Sequence, residues 1–508
     1  MLSRVTSLAV LGVDAYDVQV EVDLAPGLPA FNTVGLPDGA VRESKERVRA
    51  ALGNSGYALP VNRITVNLAP ADVRKEGSAF DLPIALGILG AAGAFPSEKM
   101  MGIGVVGELA LDGTIRPVHG VLPMSIAASK NGMKTFIVPA ENALEAAVVE
   151  GVEVLAAKRL DQVMAHLMGQ EQLPSVQADS RMLMDTASVD GPNMDEVRGQ
   201  EHAKRALTIA AAGGHNVLMV GPPGSGKTML ARRLATILPP MSFEEAIEVT
   251  QVASVAGTLP SETALITERP FRAPHHTISD AGLIGGGTIP RPGEVSLAHN
   301  GILFLDELPE FKKSVLEVLR QPLEAGGVTV TRAAATVDYP ARITLCAAMN
   351  PCPCGYYGDP KRQCSCAPQQ IQNYLSRVSG PLMDRIDLQI EVPAVPFRDL
   401  SADTAGPPSS DLRGQVIAAR GLQAHRLKDS GLYCNAQMTT SFTRKHCQLS
   451  REGLSLLERA MERFKLSARA YSRILKIART IADLDAEQNI QLSHLSEAIG
   501  YRSLDRGI

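Results

Sequence analysis

Apolar positions recur with different periods in three parts of the chain. Residues 1–169 mix short β-branched runs with alanine-rich stretches of helical period, which is typical of an α+β domain. Residues 195–399 alternate strand-like and helix-like segments, as α/β sheets do. Residues 400–508 are helical, because apolar residues lie three or four positions apart over Leu449–Phe464, Ala468–Leu484 and Ser493–Arg502.

Two turn-rich segments without an apolar period separate these parts. One is residues 170–194, and the other is Leu400–Gly414, which contains two consecutive prolines. The pattern therefore predicts a domain at 1–169, a linker at 170–194, an α/β domain at 195–399 and a helical domain at 400–508. Within the first domain the pattern predicts strands at Val18–Val22, Arg63–Leu68, Thr135–Pro139 and Val152–Ala156. It predicts helices at Gly39–Leu52 and Pro83–Ala94.

A glycine-rich loop stands between an apolar strand, Asn216–Val220, and a helical stretch, Met229–Ile237. It fits the G-x-x-x-x-G-K-[ST] phosphate loop, whose glycines let backbone N–H groups surround an anion at a helix N-terminus. Lys227 would reach the β- and γ-phosphates of ATP, and Thr228 would hold Mg²⁺. The predicted nucleotide-binding residues are Gly221, Pro222, Pro223, Gly224, Ser225, Gly226, Lys227, Thr228 and Met229.

A second apolar strand ends in two acidic residues, Asp306 and Glu307. Nucleotide hydrolysis needs a carboxylate that supports Mg²⁺ and a base that polarises the attacking water. We expect Asp306 to support the metal and Glu307 to act on the water. The two motifs together predict an ATPase.

Four further motifs accompany these two in a fixed order: Val197–Ala203 before the phosphate loop, then Met349–Pro351, Leu382–Leu388 and Ser467–Arg469 after the acidic pair. Their succession resembles AAA+ ATPases of the magnesium-chelatase clade. Arg272–Thr277, Gly285–Gly287 and Pro290–Glu294 narrow this to a resemblance to the ComM/YifB family, over essentially the whole chain. The resemblance implies an α/β fold with an AAA+ phosphate-loop core, a Lon-protease-like (S5-type) α+β N-terminal domain and a helical C-terminal lid. It also implies a homo-oligomeric ring, expected to be a hexamer, that promotes branch migration of DNA recombination intermediates in natural transformation.

The same resemblance assigns roles to three further residues. Asn350 matches the sensor-1 asparagine, Arg385 the arginine finger given to the neighbour's ATP, and Arg469 the sensor-2 arginine. Arg473 remains a rival for sensor 2, and Arg377 for the finger.

The N-terminal domain resembles the proteolytic domain of Lon, with Lys75–Ala79 matching the segment of the nucleophile. Leu122 stands where Lon has its catalytic lysine, so Ser78 lacks the base that a serine nucleophile needs. Lys75 and Lys130 are alternatives in space. We expect a degenerate, non-proteolytic domain that serves assembly and DNA contact, as in the RadA recombination protein.

Four of the seven cysteines form two C-x-C pairs on one loop, residues 350–367. Four thiolates can complete a tetrahedral Zn²⁺ site and stiffen a loop without a core of its own. The candidate ligands are Cys352, Cys354, Cys364 and Cys366, and four reduced thiols on an ordinary loop are the alternative. Cys346, Cys434 and Cys447 are expected to be buried. For His275 and His276 we expect a role in a loop and not the binding of a shared metal, because adjacent side chains point in different directions.

Composition bounds the partners. The net charge is −4, yet residues 413–508 carry 16 Lys/Arg against 9 Asp/Glu, so a DNA contact needs a local patch. Arg291 and Arg332 are candidates, and the scarcity of aromatic residues gives no sign of base stacking. We expect single-stranded or branched DNA bound without sequence specificity, no membrane partner, and a cytoplasmic protein, since no secretory signal precedes the cysteines.

Two other functions compete with a DNA motor. One is an AAA+ remodeller of protein or metal-chelatase partners, and the other is an ATP-dependent protease. The Lon-like domain and the basic C-terminal part favour DNA, and Leu122 disfavours proteolysis.

Overall fold

The computed structural model describes residues 1–179, 184, 192–287, 290–331, 336–396, 398, 406–428, 430–464 and 466–502. The strands are β1 Leu2–Leu11, β2 Asp14–Ala25, β3 Ala30–Val34, β4 Arg63–Ala69, β5 Ile103–Val105, β6 Glu108–Leu109, β7 Ile115–Arg116, β8 Thr135–Pro139, β9 Glu153–Ala157, β10 Ser175–Val176, β11 Val217–Val220, β12 Phe271–Arg272, β13 Gly285–Gly286, β14 Arg291–Pro292, β15 Ile302–Leu305, β16 Gly327–Thr331, β17 Thr336–Pro340, β18 Thr344–Met349 and β19 Leu388–Glu391.

The α-helices are likewise numbered in the order in which they occur along the chain. They are α1 Gly39–Asn54, α2 Asp81–Ala91, α3 Val121–Lys130, α4 Ala143–Ala146, α5 Leu160–Leu167, α6 Glu201–Gly213, α7 Lys227–Ile237, α8 Phe243–Ala256, α9 Asp280–Ile284, α10 Glu294–Leu297, α11 Lys313–Val318, α12 Arg320–Ala325, α13 Pro368–Leu375, α14 Gly380–Met383, α15 Ser409–Arg426, α16 Thr440–His446, α17 Arg451–Phe464, α18 Ala468–Leu484 and α19 Leu492–Gly500.

The first sheet is built from the N-terminal part and has the order β10-β9-β8-β5-β1-β2-β4-β3. The long hairpin β1–β2 lies near its centre, and β5, β8 and β9 continue it in parallel. Alternating side chains of β1 face opposite layers: Val5 packs with α1 and α2, whereas Leu8 packs with α3. Helices therefore cover both faces of this sheet.

The second sheet has the order β12-β15-β18-β11-β19, and all its strands are parallel. Along β11, Val217 and Met219 face the core that holds α6 and α7, while Leu218 and Val220 face the opposite core. Because parallel strands share one carboxyl edge, the loops after β11, β15 and β18 meet there. That edge holds the predicted phosphate loop and acidic pair.

Two connections differ from the predicted ones. The helix α15 begins at Ser409, so residues 409–414 are helical and the connection ends earlier than Gly414. Pro408 stands at its N-cap, in the extended conformation that proline favours outside a helix. In the 170–194 segment, β10 pairs with β9 and extends the first sheet. Both errors arose because short polar runs carry no periodic signal.

The C-terminal helices pack onto the second sheet's helical layer. Val416 of α15 and Ile474 and Ile477 of α18 share one core with α6 and α7. The strands β16 and β17 are antiparallel, and their register pairs Gly327 with Pro340. Arg332 lies outside the described residues. In the described ranges, no helix has both the length and the apolar character needed to cross a bilayer.

An apolar joint connects the two sheets. Leu122 of α3 is fully buried against residues of the part that carries the second sheet, including Met241, Ala246 and Val249 in and just before α8. Beside it, the Ser254 hydroxyl donates to the Glu145 carboxylate at 2.7 Å, and the Gly120 N–H donates to the Ser254 carbonyl at 3.1 Å. The joint is therefore both apolar and hydrogen-bonded.

We expect Leu122→Ala to lower the free energy of unfolding by about 2–5 kcal/mol, because it removes buried methyl groups and leaves a cavity at the joint. Urea unfolding followed by circular dichroism measures this. Leu111→Ala is the control, since Leu111 is largely exposed, and it is expected to change stability by less than about 0.5 kcal/mol. Equal unfolding curves for the two variants would contradict the joint.

Candidate nucleotide and metal sites

The phosphate loop leads from β11 into α7. Gly226 has a φ of 90°, in the left-handed region that favours glycine, and a side chain at Gly221 would lie 2.1 Å from the Val392 carbonyl oxygen. The Lys227 ammonium donates to the carbonyls of Gly221 and Pro222 at 2.7 and 2.9 Å. Burial lowers the pKa of Lys227, and Asp306 partly opposes that shift. Lys227 is thus held at the loop that is expected to enclose the phosphates.

The predicted metal-binding residues meet across two strands. The Thr228 hydroxyl donates to the Asp306 carboxylate at 2.7 Å, so the two groups lie close enough to share one cation. At the end of β18, the Asn350 carboxamide oxygen lies 3.2 Å from the Lys227 ammonium. The structure therefore brings Lys227, Thr228, Asp306 and Asn350 together at one edge of the sheet.

Glu307 follows Asp306 with a φ of 52°, and its side chain is 58% exposed. The carboxylate lies 3.4 Å from the imidazole of His276. The sequence motifs gave no link between the histidines His275 and His276 and the acidic residue Glu307. Since β12 and β15 are neighbouring parallel strands, residues shortly after each of them can meet, and this register is the signal that could have found the contact.

The predicted arginines lie away from the phosphate loop of the same chain. Arg385 is buried, pairs with Glu324 and donates to the Pro381 carbonyl. Its rival Arg377 is more exposed and pairs with Glu310 at 2.9 Å. No described contact joins either side chain to residues 221–228.

The two sensor-2 candidates contact the segment that carries Arg385. Arg469, 59% exposed, lies 3.7 Å from Asp384, and Arg473 donates to Asp387 at 2.7 Å. Arg473 and the nearby His215 keep the pKa of Asp387 well below its usual range despite burial. Arg473 is thus engaged in an internal ion pair, whereas Arg469 is available to a ligand from outside.

The four cysteines of the 350–367 loop converge. Their sulfur atoms all lie within 4.8 Å of one another, with Cys352–Cys354, Cys352–Cys364 and Cys354–Cys364 at 3.3, 3.7 and 3.6 Å. A tetrahedron with metal–sulfur bonds of about 2.3 Å has edges of about 3.8 Å, so the arrangement fits Zn²⁺. Backbone N–H groups of Tyr356 and Ser365 lower the pKa of Cys354 to about 5, which favours its thiolate. Cys346, Cys434 and Cys447 are buried, as predicted.

In the segment that resembles the Lon nucleophile segment, no described contact joins a lysine side chain to Ser78. The Ser78 hydroxyl donates to the Glu108 carboxylate, while the Lys75 ammonium is held by the Val73 carbonyl at 2.8 Å. Lys130 is exposed, and no described contact links it to Ser78. A hydroxyl bound to a carboxylate in this way has no described lysine to activate it.

Comparisons with known proteins cover the whole chain. Family models described as "Magnesium chelatase, subunit ChlI", "Subunit ChlI of Mg-chelatase" and "Magnesium chelatase, subunit ChlI C-terminal" match residues 193–400, 20–142 and 406–502. Competence protein ComM of Haemophilus influenzae is 47% identical over 99% of this chain and 98% of its own length. YifB of Escherichia coli is 44% identical over the same shares. Lon protease 2 of Bacillus subtilis is 27% identical over 32% of each chain. The chain therefore belongs to the ComM/YifB family of magnesium-chelatase-like AAA+ ATPases, with a Lon-like part at lower similarity.

Proposed function

We propose that the protein is an ATP-hydrolysing, ring-forming motor that moves branched DNA recombination intermediates. The observation that carries the ATPase is the meeting of Lys227, Thr228, Asp306 and Asn350 at the carboxyl edge of one parallel sheet. In this proposal Gly221–Met229 hold ATP, Thr228 and Asp306 hold Mg²⁺, and Glu307 polarises the water. Bound Mg²⁺ would neutralise charge that develops on the phosphates.

The arginines support an assembly in which subunits share sites. The exposed Arg469 lies 3.7 Å from Asp384, the neighbour of the buried Arg385, and neither arginine has a described contact with the phosphate loop of its own chain. We propose that both act on the ATP of the neighbouring subunit, Arg385 as the finger and Arg469 as sensor 2. Such sharing requires contact between neighbouring subunits, which a closed ring provides for every site, and we propose a hexamer.

DNA as the substrate is supported by two observations. A relative with 47% identity over nearly its full length is named a competence protein, and the C-terminal part is locally basic. Exposed cations there include Arg444, Arg451 and Arg459. Contacts of this kind bind phosphates without sequence specificity. The N-terminal domain is proposed to assist assembly and DNA contact without proteolysis, which the Ser78–Glu108 pair supports.

The four-cysteine loop is proposed to hold one structural Zn²⁺. The purified chain is expected to contain about one zinc ion per chain, because four thiolates at tetrahedral spacing bind this metal. Cys364→Ser should lose the metal, as measured by elemental analysis and a thiol-release assay. Cys434→Ala removes a buried cysteine elsewhere and should leave the zinc content unchanged. A metal-free wild-type chain after purification with added zinc would contradict the proposal.

The experiment that tests the motor is ATP hydrolysis with and without a synthetic four-way DNA junction. Stimulation by the junction, together with displacement of its strands, is expected. Stimulation by a protein partner alone would instead favour the second candidate, a remodeller of protein or metal-chelatase partners. That candidate is favoured by the magnesium-chelatase family models over residues 193–400 and 406–502.

A further inference from the structure

The four-cysteine loop carries exposed side chains to which the proposed ATPase mechanism gives no role. The two cysteine pairs gather at one point, so the residues between them, 355–363, project as a closed tip. Within this tip segment the side chains of Tyr357, Lys361 and Arg362 are exposed. The chain has no tryptophan and nine tyrosines, and Tyr357 is one of the exposed ones.

The tip segment is ordered by its own contacts. Arg362 lies over the Tyr356 ring at 5.0 Å and donates to the Tyr356 hydroxyl at 2.7 Å. The Asp359 carboxylate accepts the backbone N–H groups of Lys361 and Arg362 at 2.7 and 3.0 Å. Asp359 is therefore engaged in the turn, and no described contact holds the Lys361 ammonium.

A cavity of about 490 Å³ lies behind the tip. Tyr357 and Lys361 line it together with Gly221 and Pro222 of the phosphate loop, and apolar side chains such as Pro351 complete the wall. An aromatic ring, apolar walls and a cation at the rim suit a planar base with its phosphate. Glu391 also lines the cavity, and its carboxylate would repel a phosphate placed beside it.

We propose that the tip segment binds a single strand of nucleic acid, with Tyr357 stacked on a base and Lys361 and Arg362 contacting its phosphates. This proposal rests on the proposed function in DNA remodelling and names a strand-contact site for it. The low aromatic content of the chain gave no sign of base stacking. A single ring can still stack on a base when it is exposed, as Tyr357 is.

The tip segment also adjoins the ATP site. A side chain at Gly355 would lie 2.5 Å from the Pro223 ring, so the backbone of the tip rests on the phosphate loop. The same loop begins at Asn350, which contacts Lys227. A strand bound at the tip could therefore shift Pro223 and Lys227, which are proposed to hold the phosphates. Strand contact would in this way be linked to ATP hydrolysis.

The test is the affinity of the full chain for a fluorescently labelled oligothymidine strand, measured by anisotropy at several salt concentrations. Tyr357→Ala is expected to weaken binding about tenfold, since base–aromatic stacking contributes on this scale. Tyr357→Phe should retain binding. Lys361→Ala should weaken binding and reduce the salt dependence by about one released counterion. Tyr433→Ala is the matched control, since Tyr433 is 55% exposed and Tyr357 57%.

The outcomes separate the inference from the proposed function. If the wild type binds the strand and Tyr357→Ala binds equally well, the tip site is wrong and the DNA motor stands. If the wild type binds no DNA, both are wrong. If Tyr357→Ala instead loses ATP-dependent assembly in light scattering, the tip is a contact between subunits and the strand site is overturned. Loss of ATP affinity in that variant would assign the cavity to the nucleotide.

Discussion

Glu307→Gln is expected to abolish ATP hydrolysis while nucleotide binding persists. Glu307 follows Asp306 at the sheet edge, and its exposed carboxylate is free to polarise a water beside the γ-phosphate. The amide has the same shape but is not a base, so the turnover number should fall by about 100-fold or more. Phosphate release measures hydrolysis, and a fluorescent ATP analogue measures affinity.

The matched control is Glu310→Gln. Glu310 lies three positions later, is part-exposed and pairs with Arg377. Turnover in this variant should stay close to that of the wild type. Hydrolysis that survives in Glu307→Gln, or an equal loss in both variants, would show that Glu307 is not the base.

Arg385→Ala is expected to lower ATP turnover by about 1,000-fold, because a finger arginine stabilises the charge of the transition state. If the finger acts between subunits, the defect is complementary to that of Glu307→Gln. A mixture of the two variants should then regain hydrolysis, since a Glu307→Gln subunit supplies Arg385 to the intact Glu307 of its neighbour. Each variant alone should remain inactive.

Arg377→Ala separates the two finger candidates. Arg377 is exposed and held by Glu310 and the Pro309 carbonyl, close in sequence to Glu307. If Arg377→Ala abolishes turnover and is rescued in the mixture whereas Arg385→Ala stays active, the roles of the two residues are exchanged. A mixture without any recovery would place Arg385 in its own subunit's site or outside the chemistry.

The local structure around the candidate nucleotide site could be predicted closely from the sequence, because its residues form contiguous motifs on elements with clear periods. The run Gly221–Thr228 lies between a strand and a helix as expected, with the helix beginning two residues earlier, at Lys227. The long β1 had no predicted counterpart, although it pairs with β2 over its whole length. The strand and helix predicted at Thr135–Pro139 and Ala468–Leu484 have the same bounds in the structure.

What the sequence could not provide were contacts between distant segments. The pairing of His276 with Glu307 depends on strand order, and the pairing of Arg385 with Glu324 depends on how α12 and α14 pack. Leu122 shows the same limit. Comparison with Lon marks it as a missing lysine, whereas only the three-dimensional arrangement reveals that it fills the joint between the two sheets.

The segment 384–387 has a consequence for communication around a ring. Its acidic residues at either end, Asp384 and Asp387, are both tied to helix α18, and the Arg385 carbonyl accepts the Asn216 amide at 2.9 Å. A rotation of α18 would therefore move Arg385 through the ion pairs of its neighbours Asp384 and Asp387. In the proposed ring, these contacts would link α18 of one subunit to the ATP of its neighbour.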